Sequence, residues 1–241
     1  SSVRNTQASS TLDKLGFKSA GTNLNLRYQN NSILMDSIFG VRYNLSETDP
    51  QKFGFLPEKT EKEMSLYQND AALGLAFLTN DVYQDVKFTN LTLDNQTEFL
   101  NQLTGFDFKY YDKVDAITTN ENVKQIGNRV TVDVDRENNT SFASVIYTVN
   151  VPANSQLYVN VAGIDFSNDV QTDVDITVNN FTERYTTNNV FPFFNAGYFS
   201  QSQTVSIRFT FPNNSTVSFD TPEFFAVNTE QYQNVIQKLK E

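Results

Sequence analysis

Two pairs of acids are the residues in this 241-residue chain whose type and spacing could do chemistry. Asp133 and Asp135 sit in TVDVDR, and Asp173 and Asp175 sit in TDVDIT. Two carboxylates facing each other across a glycosidic bond, at roughly 5–9 Å, can serve as the acid and base of its hydrolysis. Residues two apart on a strand share one face, however, and the valine between them points to the other. Solvent-facing acids alternating with core valine therefore account for both pairs. The run Asp133, Asp135, Glu137, Asn138 also has the alternating oxygens that begin a calcium loop, but it lacks that loop's turn glycine and distal bidentate Glu. A third group is aromatic: Phe191, Phe193, Phe194, Tyr198 and Phe199. Exposed, these rings would stack on sugars or meet lipid headgroups; buried, they would fill a corner of a sandwich, which is the expected role.

Composition closes most other routes to catalysis. The chain has no Cys, no His and no Trp, which removes thiol nucleophiles, imidazole bases and the usual zinc ligand sets. Its Ser and Lys residues lack a paired base or a glycine elbow, and no glycine-rich phosphate loop precedes a helix. No catalytic, cofactor-binding or metal-binding residue is assigned. A formal charge of −10 with pI near 4.5 argues against nucleic acid, whose binders cluster Lys and Arg against phosphates. N-x-S/T triplets such as those at Asn90 and Asn95 are read as products of an Asn- and Thr-rich composition.

The elements that must position these residues are mainly β. From Phe106 onward, short segments that alternate apolar and polar residues recur between Asn, Gly, Pro and Ser: RVTVDVD, FASVIYTVNV, QLYVNVAGI, TDVDITV, TVSIRFTF and EFFAVN, with FDFKYYDKV at their head. Regular strands with turn signals predict an antiparallel β-sandwich or jelly roll over 106–227. A smaller α+β region with short helices over 1–105 precedes it, and a C-terminal helix over 228–241 follows. Within the first region, a helix is predicted over Asn5–Leu15, ended by Gly16, then a strand over Leu24–Tyr28 and a turn at Asn30 and Asn31. Glu47–Lys62 reads as a loop with a charged, solvated edge. Met64–Gln68 and Leu73–Thr79 read as the arms of a tight hairpin, and Val82, Val86 and Phe88 lead to a helix over Asn95–Leu103, N-capped by Asp94 and stopped by Gly105. Asp36, set among apolar residues in ILMDSIFGVRYN, must be hydrogen-bonded, and is expected to cap a helical turn or tie down the neighbouring loop.

No apolar run approaches the roughly 20 residues that cross a bilayer, and the opening residues do not read as a signal peptide. The opening SSVRNTQASS and the closing EQYQNVIQKLKE read as cut points within something longer.

Three segments carry a resemblance: LDKLGFKSAGTNLNLRYQNNSILMDSIFGVRYNLSE, LYQNDAALGLAFLTNDVY and LDNQTEFLNQLTG. They resemble the extracytoplasmic part of YfhO-type bacterial multispanning membrane proteins. The family pattern of D-S, two hydrophobics, G, a hydrophobic, K/R and Y falls here on Asp36, Ser37, Gly40, Arg42 and Tyr43. Its LY-x-N-x-x-A-L element falls on Leu66, Tyr67, Asn69, Ala72 and Leu73. The D-K-G-W-like segment typical of the family's outer domain does not occur in these residues, which have no Trp, and is expected to be either absent or beyond the cut.

The resemblance implies a GT-C-type glycosyltransferase that decorates teichoic acid, or a related envelope polymer, outside a Gram-positive cell from a polyprenyl-phosphate-linked sugar. Its catalytic acids would lie in a first outer loop not contained in this chain, so the motif residues named above are read as structural and the chain itself as noncatalytic. The implied partners are the protein's own transmembrane helices and a cell-envelope glycopolymer. The alternatives are a free-standing carbohydrate-binding or adhesin-like sandwich at the cell surface, and a glycoside hydrolase working with carboxylates alone.

Overall fold

A computed structural model describes residues 6–17, 32–77, 87–89, 91–137, 140–186 and 193–241. The strand expected over Leu24–Tyr28, the turn at Asn30 and Asn31, Val82 and Val86 lie outside the described residues. The fold is mainly β, with antiparallel sheets and a few short helices, and the chain divides into two compact units. One comprises residues 1–112, 154–156 and 227–241; the other comprises 113–153 and 157–226.

Among the described residues, the first unit holds four helices and a small sheet. Helix α1, Thr6–Lys14, stops at Gly16, whose φ of +104° suits a residue without a side chain. Helix α2, Ile33–Ile38, is a single buried turn and a half, N-capped by Ser32, whose hydroxyl accepts from the Met35 N–H. Helix α3, Thr92–Thr104, begins three residues earlier than its apolar spacing indicates. Its N-cap is Leu91, with no side-chain bond, so Asp94 lies in the first turn and acts on the positive end of the helix dipole rather than as the cap. Gly105, at φ +69°, closes it as expected.

Helix α4, Thr229–Lys240, is capped by the Asn228 side chain, which accepts from Glu230 and Gln231 N–H. Glu230 sits in its first turn, and Lys238 and Lys240 in its last, in the order the helix dipole favours. Those two lysines also reach other segments of the unit. Lys238 donates to the Thr104 carbonyl at the C-terminal end of α3 and lies 4.0 Å over the Phe106 ring, and Lys240 donates to the Asp70 carbonyl.

The sheet of this unit corrects the predicted hairpin. Strands β1, Tyr43–Ser46, β2, Phe55–Glu61, and β3, Met64–Asn69, pair antiparallel in the order β1-β3-β2. Strand β3 therefore turns back on β2, inside the stretch read as a loop. Among the described residues of Leu73–Thr79 there is no strand. Two local features explain the difference. Lys62 takes a left-handed φ of +58°, which lets Lys62 and Glu63 make a two-residue turn, and a bulge between Pro57 and Lys59 admits the proline without breaking the ladder.

The second unit is the antiparallel sandwich. The strands that follow β3 in the chain are β4, Tyr111–Val114, β5, Ala116–Ile117, β6, Val123–Ile126, β7, Arg129–Asp133, β8, Ala143–Val151, β9, Ser155–Asn160, β10, Asp165–Phe166, β11, Asp173–Val178, β12, Phe181–Thr186, β13, Phe193–Phe199, β14, Gln203–Phe211, β15, Thr216–Asp220, and β16, Glu223–Asn228. They form sheets ordered β10-β15-β7-β6, β12-β11-β14-β8-β5 and β13-β9-β16-β4. FDFKYYDKV yields a strand only from Tyr111 onward.

The longest pairing, β8 with β14, runs from Ala143 opposite Phe211 to Val151 opposite Gln203. Alternate residues of the two strands, Val145, Tyr147 and Val149 with Val205, Ile207 and Phe209, turn inward to one apolar core, where Tyr147, Phe209 and Phe224 meet with ring centroids 5.3–6.4 Å apart. Tight turns use residues that tolerate positive φ. Gly127 at +60° joins β6 to β7, and Asn179 at +55° joins β11 to β12.

Candidate functional site

The two family-like motifs meet in the first unit, joined mostly through backbone. The Leu73 N–H donates to the Ser37 carbonyl at 3.0 Å, and the Asn69 N–H to the Arg42 carbonyl at 2.8 Å. The Asn69 side chain extends the seam: Nδ2 donates to the Val41 carbonyl at 3.0 Å while Oδ1 accepts from the Ala71 N–H at 3.0 Å. Gly40, at φ +63°, lets the turn after α2 pass so close that a Cβ there would stand 3.1 Å from the Leu73 carbonyl oxygen. Tyr67 and Asn69 are buried on β3. Arg42 and Tyr43, by contrast, are exposed.

Beneath this seam lie two buried polar knots. Asp36 is 1% exposed and takes the Lys52 ammonium at 2.8 Å, so it ties down a neighbouring loop rather than capping α2. Ser37 is hydrogen-bonded to the Tyr232 hydroxyl of α4, which in turn donates to the Ile33 carbonyl at 3.0 Å. A phenol has one proton, and here it goes to Ile33, so Ser37 is the donor in the pair. In the second knot, Gln96 of α3 accepts at Oε1 from Ser32 at 2.6 Å and from Tyr111, and donates from Nε2 to the Leu15 carbonyl at 2.9 Å. Burial pushes the Tyr111 and Tyr232 phenols up from their ordinary value, opposed by their bonds to Ser32 and Ser37 and reinforced by the Asp36 charge. The serines spend their protons on fixed acceptors and the phenols hold theirs, so these groups bind the unit together and activate no nucleophile.

Each acid of the two pairs in the second unit is held by neighbouring side chains. Asp133 accepts from Thr216 Oγ1 at 2.7 Å. Asp135 is buried, against the solvent-facing position expected of it. Strand β7 ends at Asp133, the alternation lapses, and Asp135 turns in to accept from Asn120 Nδ2 at 3.2 Å, while its carbonyl takes the Thr140 N–H and hydroxyl. Asn120 Oδ1 accepts the Ile146 N–H, so this acid anchors a loop to β8.

Asp173 accepts from Gln171 and Thr186. Asp175 is gripped at 2.6 and 2.8 Å by both arms of Arg184 on β12, and that carboxylate raises the guanidinium's already high pKa. Among the described residues no group of three or more acids could hold a metal ion. Phe193, Phe194 and Phe199 are buried and Tyr198 half-buried, so the aromatic group packs inside the sandwich as far as it is described; Phe191 lies outside the described residues.

Sequence reading missed one surface. Tyr43 and Leu45 on β1 and Leu56 on β2 stand in solvent, 51, 63 and 57% exposed. The alternation of Tyr43 with Leu45 across Asn44 was the available signal, but the assignment of 47–62 to a loop hid the strand that completes the face.

Among solved structures, the chain resembles at 10% identity a family two carbohydrate esterase from Cellvibrio japonicus, with a TM-score of 0.32 over 47% of this chain and 33% of that one. It also resembles the Cnp3 cupin domain from Schizosaccharomyces pombe, again at 10% identity, with a TM-score of 0.20 over 52% of this chain and 94% of that one. The chain thus spans about a third of the length of the esterase. No curated protein matches it. Among the described residues no helix is long and apolar enough to cross a membrane. The family model "Bacterial membrane protein YfhO" matches residues 1–241, the whole chain, and the chain accordingly belongs to the YfhO family of bacterial membrane proteins.

Proposed function

We propose that this chain is a noncatalytic, extracytoplasmic domain of a membrane glycosyltransferase that moves sugar from a polyprenyl-phosphate donor to teichoic acid or another cell-envelope polymer. In this reading its task is to recognise the acceptor or a partner beside transmembrane helices that carry the reaction. Membership of the family over the full chain supports the membrane setting. The observation that carries the noncatalytic part is the state of the acids: Asp36, Asp133, Asp135, Asp173 and Asp175 each accept a hydrogen bond or ion pair from a neighbouring side chain. A general acid or base needs a proton path to substrate, and these carboxylates are occupied in holding strands and loops.

The test has two arms. The purified chain, given a polyprenyl-phosphate sugar and wall polymer, is expected to transfer no sugar and to hydrolyse none. Removal of this region from the full-length membrane protein is expected to abolish envelope glycosylation while the remainder still inserts in the membrane. Turnover by the isolated chain, or normal glycosylation after the deletion, would refute the reading.

A further inference from the structure

The two edges of the sheet β1-β3-β2 are built differently. The β2 edge carries Pro57, a bulge between Pro57 and Lys59, and the charges Glu58, Lys59 and Glu61, all devices that stop another strand from adding there. The β1 edge carries none of them: Tyr43–Ser46 has no charge, no proline and no bulge. Its hydrogen-bonding phase is fixed by the Asn69 N–H, which donates to the Arg42 carbonyl. In an antiparallel ladder, opposed residues alternate between exchanging both bonds and exchanging none. Arg42, Asn44 and Ser46 therefore turn their N–H and C=O toward β3, while those of Tyr43 and Leu45 point away from it and meet no partner among the described residues. The side chains of these two residues stand 51 and 63% exposed beside the open edge.

These free groups are complementary to themselves. With a second copy laid antiparallel so that the two Asn44 residues are opposed, Tyr43 falls opposite the partner's Leu45 and Leu45 opposite the partner's Tyr43. That is the phase in which each pair exchanges both bonds, so every outward N–H and C=O of the two residues is satisfied. Each pair also sets a ring beside an aliphatic side chain. The two Asn44 amides meet where side chains approach most closely, and an amide both donates and accepts. The ends of the strand differ in charge: Arg42, exposed and without an ion pair among the described residues, precedes it, and Glu47 and Asp49 follow it. Antiparallel pairing brings the Arg42 end of each strand beside the acidic end of the other, whereas parallel pairing sets like against like. The net charge of −10 opposes approach, but salt screens charges beyond about 8 Å, which leaves the strand ends to act at contact. A lipid or a sugar offers no row of N–H and C=O at the spacing of a strand.

We propose that β1 is a self-association edge: two copies of this chain join antiparallel through β1, centred on Asn44, and their three-stranded sheets become one continuous sheet. The inference is independent of the glycosyltransferase reading, since it concerns association alone and no sugar-transfer result bears on it.

The test uses the whole 241-residue chain, which has no cysteine, so that a single introduced one forms a disulfide only with another copy. Opposed residues in the non-hydrogen-bonded position have Cα atoms ~4.5 Å apart, within disulfide range. Under mild oxidation Asn44→Cys should therefore cross-link about tenfold faster than Glu58→Cys on the protected β2 edge. So short a strand pair is weak, and sedimentation velocity on the parent chain should show a reversible dimer at about 0.1–1 mM. Leu45→Lys, which puts a charge on the edge, should lower the association constant about tenfold or more. Arg42→Glu should lower it by a few-fold, and adding Glu47→Arg to that variant should restore most of the loss, because the end charges are then exchanged. Arg42, Leu45, Glu47 and Glu58 are exposed, so thermal unfolding of these variants should match that of the parent chain. Equal cross-linking at Asn44 and Glu58, a parent chain monomeric throughout that range, undiminished dimers in Leu45→Lys, or no recovery on charge exchange would each overturn the proposal. So would a monomer that sediments with phosphatidylcholine vesicles and loses that binding in Leu45→Lys, which would assign Tyr43 and Leu45 to lipid.

Discussion

The two units solve the same problem with different chemistry. The second buries an almost uninterrupted apolar core, in which Val145, Ile207, Phe209 and Phe224 pack and the described buried polar side chains are few: Asp135, Ser144 and Asn214. The first interrupts a smaller core with Ser32, Asp36, Ser37, Asn69, Asn95, Gln96 and Gln156. An apolar core is non-directional and tolerates exchange of one hydrocarbon for another. A buried polar core is directional, and each group left without its partner costs its full desolvation. The first unit should therefore be specified by a few identities, the second by a pattern.

The largest effect expected on this contrast comes from pH. Burial raises the phenols of Tyr110, Tyr111 and Tyr232 in the first unit and of Tyr147 and Tyr185 in the second. Each phenol keeps its proton in the fold above the pH at which the unfolded chain loses it. Stability is thus intact below pH ~10 and falls above it, by up to about 1.4 kcal/mol per pH unit for each group. Amide exchange followed between pH 9 and 11 should show the first unit, with three such groups against two among the described residues, losing protection earlier. Simultaneous loss would blur the contrast.

Next in size, Phe209→Ala should lower the second unit's stability by about 4 kcal/mol in urea unfolding, because it leaves a cavity beside Tyr147 and Phe224. The sharper comparison uses near-equal volumes. Gln96→Leu should cost about 3 kcal/mol, since it strands the Ser32 and Tyr111 hydroxyls and the Leu15 carbonyl, while Ile207→Val should cost only about 1 kcal/mol. Equal costs for these two would break the distinction between identity and pattern. Smaller again, Tyr232→Phe should cost about 1.5 kcal/mol by leaving Ser37 and Ile33 without their shared phenol. Smallest is Arg184→Ala, below about 0.5 kcal/mol, because its grip on Asp175 is made by a guanidinium more than half exposed to screening water.

The same division governs what could be read from sequence. The strands β7, β8, β11, β14 and β16 announce themselves, since a buried face and a wet face alternate along each one. The sandwich followed from them. The first unit was legible only where a residue has a single backbone meaning: Gly16 and Gly105 stop their helices at left-handed positions. Its small sheet was missed because Pro57 and the charges Glu58, Lys59 and Glu61 disguise a strand that a bulge and a left-handed Lys62 make possible. Asp135 was placed on the wet face because alternation was carried past the end of β7. What remained hidden, Gln96 and Lys52 above all, is tertiary: nothing in the sequence near either residue names a partner 81 positions away at Leu15, or 16 away at Asp36.

The bond from the Tyr232 hydroxyl to the Ile33 carbonyl spans 199 residues. Translation makes Ile33 before the sandwich and Tyr232 after it, so everything the sandwich needs between residues 113 and 226 is synthesised in the interval. The first unit is consequently the one that must wait: until α4 clears the ribosome, Ser37 and the α2 backbone lack the phenol that closes them. Nascent chains shortened before residue 229 should carry a finished sandwich and an open, protease-sensitive first unit.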